Sequence, residues 1–115
     1  MRTNINRTKI TNNTEFCIVV GCYQLDGEYT LDYLKYVKFN TFPSIVREQI
    51  RKGLDYTTII YPQFNSIVVI VRKELMDKFE EGIEKDSVKA LFDTESRKCN
   101  PPYDIVVASG NFSKE

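Results

Sequence analysis

Aromatic and basic side chains alternate in one segment of the chain, between residues 28 and 39. Rings for stacking on bases, next to cations for phosphates, are the combination that sheet-based single-strand binders use. The same tyrosines suit protein interfaces, in which tyrosine is enriched. Further basic residues follow between 44 and 73. The resulting candidate binding set is Tyr29, Tyr33, Lys35, Tyr36, Lys38, Arg47, Arg51, Arg72 and Lys73.

The chain contains no histidine. This removes the commonest general base and the commonest zinc ligand, together with every serine–histidine and cysteine–histidine nucleophile pair. The five glycines stand apart, so no glycine-rich phosphate loop is present. The sequence therefore disfavours an enzyme without deciding the question, and it predicts neither a metal site nor a cofactor.

Thiols and carboxylates supply the remaining chemistry. Cys99 follows Arg97 and Lys98, and neighbouring cations favour the reactive thiolate, so Cys99 is a candidate reactive thiol. Cys17 and Cys22 lie in an apolar run and are interpreted as small buried hydrophobes. Three cysteines, an odd number, argue against a complete disulfide framework and favour a reducing, cytoplasmic location.

Residues 28–108 follow the order strand, helix, strand, strand, helix, strand. This order predicts an α+β fold, a two-layer sandwich of ferredoxin-like βαββαβ order with two main helices. An extra N-terminal strand or hairpin brings the sheet to four or five mostly antiparallel strands. We expect a basic, flexible arm at 1–14, a single domain at 15–110 and a frayed tail at 111–115.

The strand at 28–39 is the ambiguous element. Its alternation slips at Leu34, which a β-bulge would explain; a helix capped by Thr30 is the competing interpretation. The other expected strands are 16–25, 56–61, 66–72 and 103–108. The expected helices are 44–53 and 74–84, with a short helix after 86 and a polar loop at 93–102. Asp26-Gly27 predicts a hairpin between the first two strands.

That hairpin conflicts with the simple motif, because the first strand of a ferredoxin-like sheet is already flanked on both sides. Either 16–25 is the motif's first strand and 28–39 is an insertion, or the strand order is modified. The pattern leaves both options open.

Sheet geometry gives the leading functional hypothesis. Two helices on one face leave the other face open, yet strands 16–25 and 66–72 are apolar on both sides. A second copy or another protein is the simplest cover, so we expect a non-catalytic, intracellular binding or regulatory domain that forms a homodimer through the sheet.

Two other hypotheses come from the polar residues. A nucleic-acid-binding regulator would use strand 29–39 and helix 44–53, although a formal net charge of zero provides no overall attraction to phosphates. A histidine-free enzyme or small-ligand sensor would use carboxylates such as Asp32, Asp55 or Glu74. No apolar run is long enough to predict a membrane-spanning helix.

Overall fold

The computed structural model of the chain describes residues 10–23, 29–80, 83–98 and 105–112. In these ranges it is an α+β fold with a five-stranded antiparallel sheet and three α-helices. The strands are β1 (Glu15–Tyr23), β2 (Tyr29–Lys38), β3 (Tyr56–Tyr61), β4 (Ser66–Arg72) and β5 (Val106–Gly110). The helices are α1 (Ser44–Ile50), α2 (Met76–Glu80) and α3 (Ile83–Arg97).

The strand order across the sheet is β2-β1-β4-β3-β5. The α+β class and the antiparallel pairing are as the sequence predicts, but the pairing differs from a ferredoxin-like sheet. There, the last strand of the motif lies beside the first. Here β2 occupies that place next to β1, and β5 pairs with β3 at the opposite edge. The strand order around the hairpin is thus resolved: β2 takes the position of the last strand. Asp26-Gly27 itself lies outside the described residues.

Alternating apolar residues give the sheet two cores, one on each face. On one face, Phe16 of β1 and Ile70 of β4 pack against α1 and the 3-10 helix at Phe39–Thr41. We call this the α1 face; its buried cluster is Phe16, Phe39, Phe42, Val46, Ile50 and Ile70. On the other, the α3 face, Met76 of α2 and Val88 and Phe92 of α3 pack against Val19, Ile60, Ile67, Val69 and Val71.

The prediction of a two-layer sandwich with both helices on one face is therefore wrong. Helix α1 lies on one face and α2 and α3 on the other, so the chain itself packs on both faces of the sheet, and on the α1 face Ile18 and Val68 remain partly buried. The chain's own α1 thus packs on the face that was expected to be open, and association through the sheet stays a prediction.

The structure settles the conformation of two segments, 29–38 and 93–97. Residues 29–38 form a strand, and its register with β1 shifts between Ile18 and Val19, so that Leu34 is the additional residue of a bulge. Helix α3 continues to Arg97, through part of the predicted loop at 93–102. Pairs at helical spacing support this extension: Lys89 with Asp93, and Lys98 with Glu95.

Packed structure extends beyond 15–110 at both ends. Ile10 packs against the cluster on the α1 face, and the N–H of Phe39 donates to the carbonyl oxygen of Thr14 at 2.8 Å. At the other end, Phe112 is buried and its ring stacks on that of Tyr56, with centroids 5.8 Å apart. The N–H of Phe112 donates to Oδ2 of Asp55 at 2.7 Å. The core therefore includes residues on both sides of the predicted domain.

Candidate functional site

Strand β2 forms one edge of the sheet. It pairs with β1 on its inner side, and no described strand pairs with its outer side. An edge strand presents a row of backbone N–H and C=O groups that can hydrogen-bond a further strand. At ten residues β2 is twice as long as β5, the five-residue strand at the other edge. The longer of the two edges is thus the better template for strand addition.

The bulge in β2 brings two opposite charges to one face of this edge. Lys35 lies opposite Ile18 of β1, and Asp32 lies opposite Val20. Because Ile18 and Val20 are two residues apart in a strand, they point to the same face, and so do their partners. Without the bulge, residues 32 and 35 would point to opposite faces. Asp32 and Lys35 are both exposed.

A second group of charges lies where β2 ends, on the α3 face. Nζ of Lys73 is 3.2 Å from Oε1 of Glu15 and 5.3 Å from the centroid of the Tyr36 ring. Half of the Tyr36 surface is exposed. Such exposed contacts each contribute no more than about 1 kcal/mol. They place Lys73 between an anion and an aromatic face, with 58% of its side-chain surface still exposed.

The arginines of the candidate binding set lie elsewhere. Arg72 is only 5% exposed and lines a cavity of about 10 Å³ with Asp55 and Thr57. That volume is about the minimum for one water molecule. The guanidinium of Arg51 lies 5.1 Å from the centroid of the Phe39 ring, and Nη2 of Arg47 contacts Oγ of Ser44 at 3.4 Å. The basic residues of the set therefore do not form one surface.

Several predicted residues fall beyond what the structure describes or have other partners. Cys99 and the side chains of Tyr29 and Tyr33 lie outside the described residues. The carboxylate of Asp55, a candidate for catalysis or ligand binding, accepts the hydrogen bond from Phe112. Glu74 is exposed in the 3-10 helix that follows β4.

A partly buried polar network joins α1 to the far edge of the sheet. Oγ of Ser109 in β5 lies 3.0 Å from Oγ1 of Thr57 and donates to Oε1 of Gln49 in α1 at 3.0 Å. The hydrogen bonds among Ser109, Thr57 and Gln49 help to hold α1 on the sheet. On the opposite face of β3, Oγ1 of Thr58 separately donates to the carbonyl oxygen of Ala108 at 2.8 Å.

The sequence matches no model of a known protein family, and searches of curated proteins and of solved structures also find no similar chain.

Two further findings concern the described ranges only. Within them, no three Cys, Asp or Glu residues converge into a group that could hold a metal ion. No helix in this part of the chain has the length and apolar composition to cross a bilayer.

Sequence reasoning missed that Asp32 and Lys35 point to the same face of β2. The signal was available, because the break in alternation at Leu34 changes the face of every residue on one side of it. Exposed Phe64, in the turn between β3 and β4, was also not predicted as a surface residue; it is 65% exposed.

Proposed function

We propose that this chain is a non-catalytic protein-binding domain that forms a homodimer through the outer edge of β2. One observation carries the proposal. No described element pairs with the outer side of β2, a ten-residue edge strand, while both faces of the sheet carry helices. Main-chain hydrogen bonds supply affinity in strand addition, and side chains supply specificity. The odd cysteine count supports an intracellular, reducing compartment for this domain.

The edge replaces the sheet face as the contact surface. Association through a face would require an exposed apolar patch, but the chain's own helices pack on both faces, and Ile18, Ile59 and Val68 beside α1 are partly buried rather than exposed. The polar groups of an edge, in contrast, remain available for a further strand whatever covers the faces.

Protein fits this edge better than nucleic acid does. Non-specific binding to phosphates depends on several cations acting together. Here Arg72 is buried, Arg51 lies over Phe39 on the α1 face, and Lys73 contacts Glu15 on the α3 face. The lysines that remain on β2, Lys35 and Lys38, accompany Asp32 on the same strand.

Strand addition alone is a small contact. Stable protein interfaces bury about 1,200–2,000 Å² in total, and weaker, transient ones bury less. We therefore expect a reversible dimer with a dissociation constant on the order of 1–100 μM.

The mass in solution should rise from that of a monomer towards that of a dimer as the protein concentration is raised through this range. Sedimentation velocity measures this directly. Phe64→Ser is the matched control, because Phe64 is highly exposed and lies in a turn away from β2. Phe64→Ser should leave the dependence of mass on protein concentration unchanged.

Labelled single- and double-stranded oligonucleotides should not bind the protein at low salt.

A mass that remains monomeric well above this range would contradict the proposal. So would a dimer that Phe64→Ser abolishes, since the contact would then include the β3–β4 turn. Oligonucleotide binding that weakens steeply with salt, in a protein that stays monomeric, would favour the nucleic-acid-binding alternative.

A further inference from the structure

We infer that the partner strand is β2 of a second copy, paired antiparallel along its full length, with Asp32 of each subunit facing Lys35 of the partner subunit. This inference rests on the proposed function and specifies its partner, register and recognition pair. The full-length register places residue 29 opposite residue 38, and residue 32 opposite residue 35, on both sides of a two-fold axis.

The bulge makes this register geometrically consistent. Two antiparallel strands related by a two-fold axis keep each face of the sheet continuous, so residues opposite each other must point to the same face. Residues 32 and 35 of a regular strand would fail this condition, because side chains alternate between faces. In β2 they satisfy it, since Asp32 and Lys35 lie opposite Val20 and Ile18, which share a face.

Charge selects the same register. Full overlap creates two Asp–Lys pairs across the axis, one on each side of it. Sliding the copies until Lys35 meets Lys35 of the partner subunit shortens the overlap and sets like charges opposite each other, which is unfavourable. The register with the longest overlap is therefore also the one with complementary charges.

These charges face apolar residues within their own subunit. The neighbours of Asp32 and Lys35 across β1 are Val20 and Ile18, so β1 provides neither charge with an opposite charge directly across the strand pair. Both side chains are exposed. Charges on an edge strand discourage non-specific pairing with other strands. In one register, the same charges complement those of a second copy, so they would make the pairing specific.

Charge reversal at either position tests the inference. Asp32→Lys sets lysine opposite Lys35 of the partner subunit, and Lys35→Asp sets aspartate opposite Asp32 of the partner subunit. Each single variant should dimerise more weakly, with a dissociation constant raised on the order of 10-fold or more, because two attractive pairs become repulsive. The double variant Asp32→Lys/Lys35→Asp restores both pairs and should dimerise as the unmodified chain does.

Mixing the two single variants is the sharpest form of the test. In a mixed dimer, the variant with two lysines on this face meets the variant with two aspartates, so every pair is attractive. An equimolar mixture should therefore form a heterodimer at concentrations where each variant alone is monomeric. Tagging one variant allows the heterodimer to be measured by sedimentation with absorbance at the tag's wavelength. Far-ultraviolet circular dichroism of each variant checks that the fold is intact.

The outcomes separate the register from the proposed function. If the unmodified chain dimerises but the single variants dimerise equally well, or their mixture forms no heterodimer, this register is wrong while self-association stands. If the unmodified chain is monomeric at every concentration, the proposed homodimer itself is wrong. Weakened single variants with recovery in both the double variant and the mixture would establish the Asp32–Lys35 pair.

Discussion

Replacing Phe16 with alanine is expected to lower the free energy of unfolding by about 3–5 kcal/mol, the usual range for truncating a buried phenylalanine. Phe16 is 2% exposed, and its ring centroid lies 5.7 Å from that of Phe42 and 6.2 Å from that of Phe39. Through these two rings, Phe16 of β1 packs against the segment that leads into α1. Urea denaturation followed by circular dichroism provides the measurement.

The same substitution at an exposed ring is the control. Phe64→Ala removes an identical side chain from the turn between β3 and β4, and it should change the free energy of unfolding by less than about 0.5 kcal/mol. Equal, small effects at both positions would mean that α1 and the Phe39–Thr41 helix do not cover this face of the sheet. The assignment of a separate core to the α1 face would then fail.

Phe112→Ala should produce the second large loss, about 3 kcal/mol. Phe112 joins the core on the α3 face, and Nζ of Lys78 lies 5.7 Å from the centroid of its ring. The backbone N–H of Phe112 keeps its bond to Asp55 in this variant, so the loss reports the ring. Thermal and urea unfolding of the variant measure it.

Asn111→Ala is the matched control beside it. Asn111 is exposed, and its Oδ1 accepts a hydrogen bond of 3.3 Å from the N–H of Asp55. Losing one exposed hydrogen bond should cost less than about 1 kcal/mol. If Phe112→Ala is no more destabilising than Asn111→Ala, residues after β5 do not contribute to the core, and the domain ends at 110 as the sequence alone predicts.

Local pattern was sufficient to predict most elements. Residues 56–61 and 66–72 match β3 and β4 because uninterrupted β-branched and aliphatic runs with a proline turn between them leave little alternative. The break in alternation at Leu34 predicted the bulge that the register with β1 contains. Helix α3 is longer than predicted, since its last turns are polar and are held by side-chain pairs that hydrophobic periodicity does not detect.

Which face each helix covers could not be predicted, because it depends on strand order. Right-handedness of crossovers constrains only connections between parallel strands. In a ferredoxin-like sheet both helices make such connections. In this chain, β2 pairs with β1 as a hairpin, and successive antiparallel pairings leave β2 and β3 running in opposite directions. Helix α1 connects these two strands and so escapes the rule. The connection through α2 and α3 joins β4 to β5, which are parallel, so the rule applies to this connection alone of the two.

The candidate site followed from the same topology. The sequence singled out the segment 28–39 for its tyrosines and lysines, but it predicted association through a sheet face, from the apolar strands 16–25 and 66–72. Only the strand order shows that this segment is an edge, and only the register shows that Asp32 and Lys35 share a side of it. Arg72 appeared basic and accessible in sequence, whereas the end of β4 lies in the interior of the sheet.

Amide hydrogen exchange as a function of protein concentration tests the central claim most directly, because it locates the contact as well as detecting it. Between dilute and concentrated solution, amides of residues 29–38 should gain protection, while those of β3, β4 and the turn around Phe64 should not change. Gain of protection confined to β2, and its loss in Lys35→Asp, is the predicted result. Dimer formation with unchanged exchange in β2, or with new protection around Phe64, would contradict the claim that this edge is the contact surface.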